Sequence, residues 1–130
     1  MQLTKKAEYA ISAMVDIAKQ GGDFLVSSKD IAERQNIPPK FIPQIIHALS
    51  KARLINSVRG AKGGVKLMDK ANNVNLRQIL EVIEGPVKIS FKKKGDPKFT
   101  EELNKLEDGV VKLFEKTTIS DLAGVKKWFW

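Results

Sequence analysis

Three prolines within six residues, Pro38, Pro39 and Pro43, decide where a helix can and cannot run in the middle of this chain. Proline has no backbone donor and is tolerated only in the first turn of a helix. Asn36 to Pro39 is therefore a turn. The helix that follows needs its N-cap near Pro39 or Lys40, so that Pro43 still falls among the residues whose N–H has no partner within the helix. From there Ile42, Ile45, Ile46 and Leu49 recur at spacings of three and four as an inward stripe. Lys40, Pro43, Gln44, His47 and Lys51 share the opposite face.

The flanking sequence is punctuated in the same way. Residues 4 to 19 set Ala7, Ala10, Ile11, Met14, Ile17 and Ala18 on one helix face, with Thr4 as N-cap and Gly21 and Gly22 as the stop. Phe24 to Val26 reads as a short extended piece. Ser27 with Asp30 three residues on opens a second helix, through about Gln35, with Ile31 and Ala32 inward. After the third helix, Leu54 to Arg59 and Val65 to Met68 read as short strands, and the glycines at 60, 63 and 64 around Lys62 form a hairpin tip. Asn75 and Gln78 cap another helix, with Leu76, Ile79, Leu80 and Ile83 inward, which Gly85 and Pro86 end.

A lysine-rich loop covers residues 88 to 98. The last long helix runs from about Pro97 to Lys116, and its Phe99, Leu103, Leu106, Val110, Leu113 and Phe114 form a seam of coiled-coil spacing that requires a partner. We assign Leu103, Leu106, Val110, Leu113 and Phe114 to homodimerisation. Thr117 to Gly124 reads as a further helical turn capped by Ser120, before the tail Lys126, Lys127, Trp128, Phe129, Trp130. The fold class is mainly α with a small β-hairpin. It divides into a winged helix-turn-helix domain, residues 1–86, and residues 87–130 carrying the loop, dimerisation helix and tail, the two forming one compact unit.

Charge is distributed unevenly. The 130 residues carry a net charge of +8, yet Arg34 to Met68 contains seven basic residues (Arg34, Lys40, Lys51, Arg53, Arg59, Lys62, Lys66) and no acid. The remainder has sixteen basic and fifteen acidic residues. An acid-free stretch spanning a helix and the hairpin after it is not what solubility calls for, since mixed charge serves that better. It fits a polyanion. With 42% hydrophobic and 29% charged residues the chain has the balance of a globular protein. It has no apolar run of membrane-spanning length, and Glu8 and Asp16 stand where a signal peptide would be uncharged. We expect no membrane and a cytoplasmic location.

Helix, helix, turn, helix, hairpin is the order of a winged helix-turn-helix, whose third helix enters the major groove of double-stranded DNA. Gln44 carries the paired donor and acceptor that match an adenine edge. Phe41 either packs on the domain or touches a thymine methyl. His47 is a surface or groove residue. The assigned DNA-binding set is Ser28, Lys29, Lys40, Phe41, Pro43, Gln44, His47, Lys51, Arg59 and Lys62. An enzyme is not expected: there is one histidine, no nucleophile motif, no phosphate loop and no ligand-spaced acid cluster. With no cysteine, disulfides and cysteine-ligated metals or clusters are excluded, and no cofactor is assigned.

The segments LTKKAEYAISAMVDIA, DIAERQNIPPKFIPQII, INSVRGAKGGVKL, ILEVIEGP and LFEKTTISDL together resemble the bacterial winged helix-turn-helix regulators of the IscR/NsrR/CymR family, over essentially the whole chain. The resemblance implies a helix-turn-helix at Ser28 to Lys51, major-groove contacts near Lys40, Phe41, Pro43 and Gln44, and a minor-groove wing arginine at Arg59. It also implies a homodimer on a roughly palindromic operator. This chain departs from the family at Val65, where an aromatic is usual, and at Pro43, where some members carry a site-discriminating glutamate. In the loop from Lys88 to Lys98, cluster-binding members have three cysteines and this chain has Lys92, Lys93, Lys94, Gly95 and Asp96. It is similar to the branch without a cluster. The function expected is a homodimeric, sequence-specific repressor. The alternative is an interaction protein acting through a partner enzyme or other protein, and a protein or small-molecule effector is left open.

Overall fold

Helix α1 (Lys5–Lys19) opens on Thr4, whose hydroxyl oxygen accepts from the Ala7 N–H at 3.2 Å. The computed structural model describes residues 3–89 and 95–124, so the lysine loop from Lys92 to Lys94 and the tail from Lys126 to Trp130 lie outside the described residues. Ala7, Ala10, Ala13, Met14, Ile17 and Ala18 of α1 are buried. Four alanines on one face let other helices approach its backbone closely, and α1 is the post around which the domain is built.

Helix α2 (Ser28–Gln35) is capped by Ser27, which accepts from the Asp30 N–H at 3.3 Å, and ends at Asn36 in the left-handed region (φ 53°). A 3-10 turn, Pro39–Phe41, leads into α3 (Ile42–Lys51). Here the structure corrects the expected start of the third helix near Pro39 or Lys40. Pro43 has no N–H to offer the Pro39 carbonyl, so that carbonyl accepts from Ile42 instead and the turn tightens to 3-10. Ile42, Ile45 and Leu49 are buried as the stripe predicts, and Ile46 is half-buried.

Strands β1 (Ile55–Val58) and β2 (Gly64–Leu67) pair antiparallel from Ile55↔Leu67 to Val58↔Gly64. Val26 adds a bridge on the other edge of β2, exchanging both backbone hydrogen bonds with Val65 at 2.8 Å. The extended piece before α2 thus anchors the hairpin.

Helix α4 (Leu76–Glu84) has a complete capping box: Asn75 accepts from the Gln78 N–H at 3.0 Å, and Gln78 accepts from the Asn75 N–H at 2.8 Å. Helix α5 (Pro97–Lys116) starts at Asp96 and buries none of its residues. Helix α6 (Ile119–Ala123) is capped by Thr118, not by Ser120 as the sequence suggested. Thr118 accepts from the Asp121 N–H at 3.1 Å and Asp121 returns the bond, while Ser120 is buried. The chain then re-enters the domain. Leu76 donates to Thr117 and Ile119 donates to Val74, each at 2.8 Å, and Ile119 sits fully buried in the common core. The architecture is mainly α with one two-stranded hairpin, a winged helix-turn-helix carrying a long C-terminal helix.

Candidate nucleic-acid interface

The helix-turn-helix is pinned from behind by a buried carboxylate. Asp16 of α1 is 1% exposed and accepts from Arg34 Nε at 2.9 Å, Arg34 Nη2 at 2.8 Å and Gln35 Nε2 at 3.1 Å. The hydrogen bond to Asp16 holds the Arg34 guanidinium above its usual pKa, against a smaller loss from burial. Arg34 is therefore not free for phosphate, and the effective positive charge of the acid-free stretch is one less than its sequence suggests. Sequence reasoning missed this pair. The signal that could have found it is register: Asp16 follows Ala13 by three on the buried face of α1.

With α2 fixed, α3 turns its polar face outward. Lys40, Pro43, Gln44, His47 and Lys51 are all exposed, as the helical spacing predicts. Phe41 is half-buried, its ring centroid 5.2 Å from that of Tyr9, and the Lys40 ammonium lies 5.3 Å from the Phe41 ring. Phe41 thus packs partly on the domain, against Tyr9 and the edge of the core. That packing also orients Lys40, which sits over the ring as a partner.

The wing projects Arg59 and Lys62 into solvent. Its tip closes with Gly63 donating to the Gly60 carbonyl at 2.9 Å, and a Cβ at Gly63 would collide with the Val58 carbonyl. Ser28, at the start of α2, shares a cleft of about 240 Å³ with Ile46 of α3 and with Ser57, Gly60 and Gly63 of the hairpin. Helix α2, the third helix and the wing therefore open onto one surface. Among the described residues, none of Lys29, Lys40, Lys51, Arg59 and Lys62 has a carboxylate partner within ion-pair distance. Their charge is uncompensated, which is what binding a polyanion by counterion release requires.

On α5 the five seam residues divide by burial, with Leu106 54% and Leu113 64% exposed and Leu103, Val110 and Phe114 half-buried. Phe114 lines a cavity of about 160 Å³ with Leu3, Leu80, Pro86 and Val87. Arg77 pairs with Glu81 at 2.8 Å within α4 and reaches across to Glu115 of α5, and both hydrogen bonds raise its pKa. No described helix is long and apolar enough to cross a membrane.

Residues 3–124 match the family profile Rrf2, described as an iron-dependent transcriptional regulator. The HTH-type transcriptional regulator CymR of Bacillus subtilis (strain 168) is 30% identical over 124 residues, 95% of this chain and 90% of that protein. The HTH-type transcriptional regulator IscR of Photobacterium profundum is 38% identical over 87 residues, 67% of this chain and 51% of that protein. Among solved structures, that of CymR, the global cysteine regulator of B. subtilis, superposes with a TM-score of 0.86 at 29% identity, covering 95% of this chain and 97% of that one. That of T. potens IscR superposes with a TM-score of 0.78 at 31% identity, covering 95% and 87%. These relatives are transcription regulators by name. The iron in the family description finds no matching donor set among the described residues. The chain has no cysteine, its one histidine stands on the outward face of α3, and no group of three or more potential metal ligands occurs among the described residues.

Proposed function

Because the chain belongs to the Rrf2 family of transcription regulators, we propose that it is a homodimeric, sequence-specific operator-binding repressor that works without an iron–sulfur cluster. The observation that carries this reading is the uncompensated basic surface shared by the start of α2, the outer face of α3 and the wing. In it, Ser28 and Lys29 seat a phosphate beside α2, and Gln44 reads a base edge in the major groove, with Lys40, Pro43 and His47 around it. Lys51 neutralises the backbone, and Arg59 with Lys62 follows the duplex into the neighbouring minor groove.

Two copies joined along α5, through Leu103, Leu106, Val110, Leu113 and Phe114, hold two such surfaces at a fixed separation, which a two-fold symmetric operator would mirror. Residues 1–86 then read DNA and residues 87–130 set the spacing. That Ile119 packs the end of the second part into the core of the first supports reading the two as one unit. A DNA partner fits the cytoplasmic location expected from the sequence.

The test is a fluorescence-anisotropy titration on duplexes selected from a random pool, repeated over a salt series. With roughly 6 to 10 phosphates neutralised per dimer, affinity falls about a thousandfold or more between 50 and 200 mM salt. Absence of binding at low salt, or binding indifferent to salt, refutes the reading.

A further inference from the structure

Helices α2 and α6 each end on a left-handed residue, Asn36 (φ 53°) and Gly124 (φ 70°), the residue types that tolerate this conformation best. Helix α3 departs from that pattern. The residue that turns the chain out of it is Arg53, at φ 61°. Arg53 donates to the Ser50 carbonyl and Leu54 to the Leu49 carbonyl, each at 3.0 Å, the paired bonds of a Schellman helix end. That geometry fits glycine, and a side chain in it is strained.

Nothing local accounts for an arginine there. Lys51, in the last turn, already places a cation against the C-terminal carbonyls of α3. Arg53 is exposed, and among the described residues its side chain has neither a hydrogen bond nor a carboxylate within ion-pair distance. It belongs to the acid-free stretch and stands two residues before β1, at the joint between α3 and the wing. Along the chain it follows Gln44 by nine residues, about 13 Å at the helical rise. The major groove is about 12 Å wide, so with Gln44 at the bases the far end of α3 stands level with the phosphates that edge the groove. A guanidinium offers such phosphates a fork of donors.

Resting on the DNA-reading role proposed above, we infer that Arg53 is a phosphate anchor of the operator complex, held in a strained helix end that glycine or asparagine would relieve at the loss of its charge. It adds to affinity for any duplex and nothing to the choice of sequence. Arg53 lies beyond the last turn of α3, so the helical spacing that picks out Lys40, Gln44, His47 and Lys51 passes it by.

The experiment uses the full chain with Arg53→Ala, Arg53→Gly and Arg53→Lys, titrated over a salt series on a selected duplex and on an unrelated one. Losing one phosphate contact per copy lowers the log–log salt slope of a dimer by about two. Arg53→Ala and Arg53→Gly weaken binding to both duplexes by the same factor, about tenfold or more at low salt, and Arg53→Lys keeps the slope. Arg53→Gly melts a few degrees above Arg53→Ala, since both lack the charge and only alanine keeps a strained Cβ. Affinity and slope unchanged in Arg53→Ala and Arg53→Gly overturn the inference and leave DNA reading intact. A loss confined to the selected duplex, or a slope that Arg53→Lys fails to restore, overturns the phosphate contact. Equal melting of the glycine and alanine variants removes the strain from which the inference starts and overturns it too. Failure of the unaltered chain to bind either duplex overturns it together with the reading on which it rests.

Discussion

Asp16 shows how one residue sets the pose of a reading helix it does not belong to. Its carboxylate satisfies three donors from two consecutive residues of α2, Arg34 and Gln35, so α2 cannot rotate about its axis without stranding a buried charge. The raised pKa of Arg34 adds no pH dependence in any working range. A cation held above its ordinary value contributes fully below the unfolded pKa and is lost only as pH climbs through the folded one, beyond strongly alkaline conditions. The pair must therefore be probed by substitution. Asp16→Ala is expected to cost about 2 kcal/mol in urea unfolding, less than a fully buried pair because the Arg34 side chain is 38% exposed and can turn to water. A double-mutant cycle with Arg34→Ala should show coupling of about 1 kcal/mol or more, and additive effects would count against the clamp. On the outward face the expectation is different in kind. Gln44→Ala should leave stability alone and relax discrimination at one base pair by about 1–3 kcal/mol, read as affinity on the selected site against single-pair variants. Equal losses on every sequence would mean that Gln44 does not read a base.

At the scale of elements, the wing is the part with least room for change. A Cβ at Gly64, which lies at φ +153°, would come 2.6 Å from the Val26 carbonyl oxygen, and one at Gly63 would strike the Val58 carbonyl. Gly63→Ala should thus open the hairpin tip and reduce DNA affinity at least tenfold, an outcome of order 1.4 kcal/mol or more. Thermal unfolding, dominated by the helical core, should move by only a few degrees, and undiminished binding would show that the wing does not contact DNA. The helices announced themselves in sequence because each carries local signals: Thr4, Ser27 and the Asn75–Gln78 box as caps, and stripes of period 3.6. What sequence could not show was settled by distant partners or by backbone bookkeeping. The first turn of α3 became 3-10 because of a donor missing from Pro43, and Thr118 capped α6 because Ser120 was drawn inward. Among candidate site residues, exposure of Lys40, Gln44, His47 and Lys51 followed from helix geometry alone. The contacts of Arg34 with Asp16 and of Phe41 with Tyr9 did not, since each depends on α1 packing across the motif.

For the molecule as a whole, the proposed dimer has to explain why a helix of twenty residues buries none of them within its own chain. Leu106 and Leu113, more than half exposed and one heptad apart, are the residues whose burial a second copy would gain most from. Replacing both by glutamate introduces like charges across the seam without touching the core built around α1, so each chain should keep its helical content by circular dichroism. Sedimentation should then give the mass of a single chain. The reader would remain, but its second contact with the operator would no longer be intramolecular, and affinity for the full site should drop by about 10²–10⁴. The salt series separates this from damage to the reading surface. A monomer that keeps its own phosphate contacts should show a log–log salt slope about half that of the dimer, while a damaged reader would lose slope and sequence preference together. A double variant that stays dimeric would shift the interface away from α5, and one that is monomeric yet binds the full operator with undiminished affinity and slope would show that a single copy suffices.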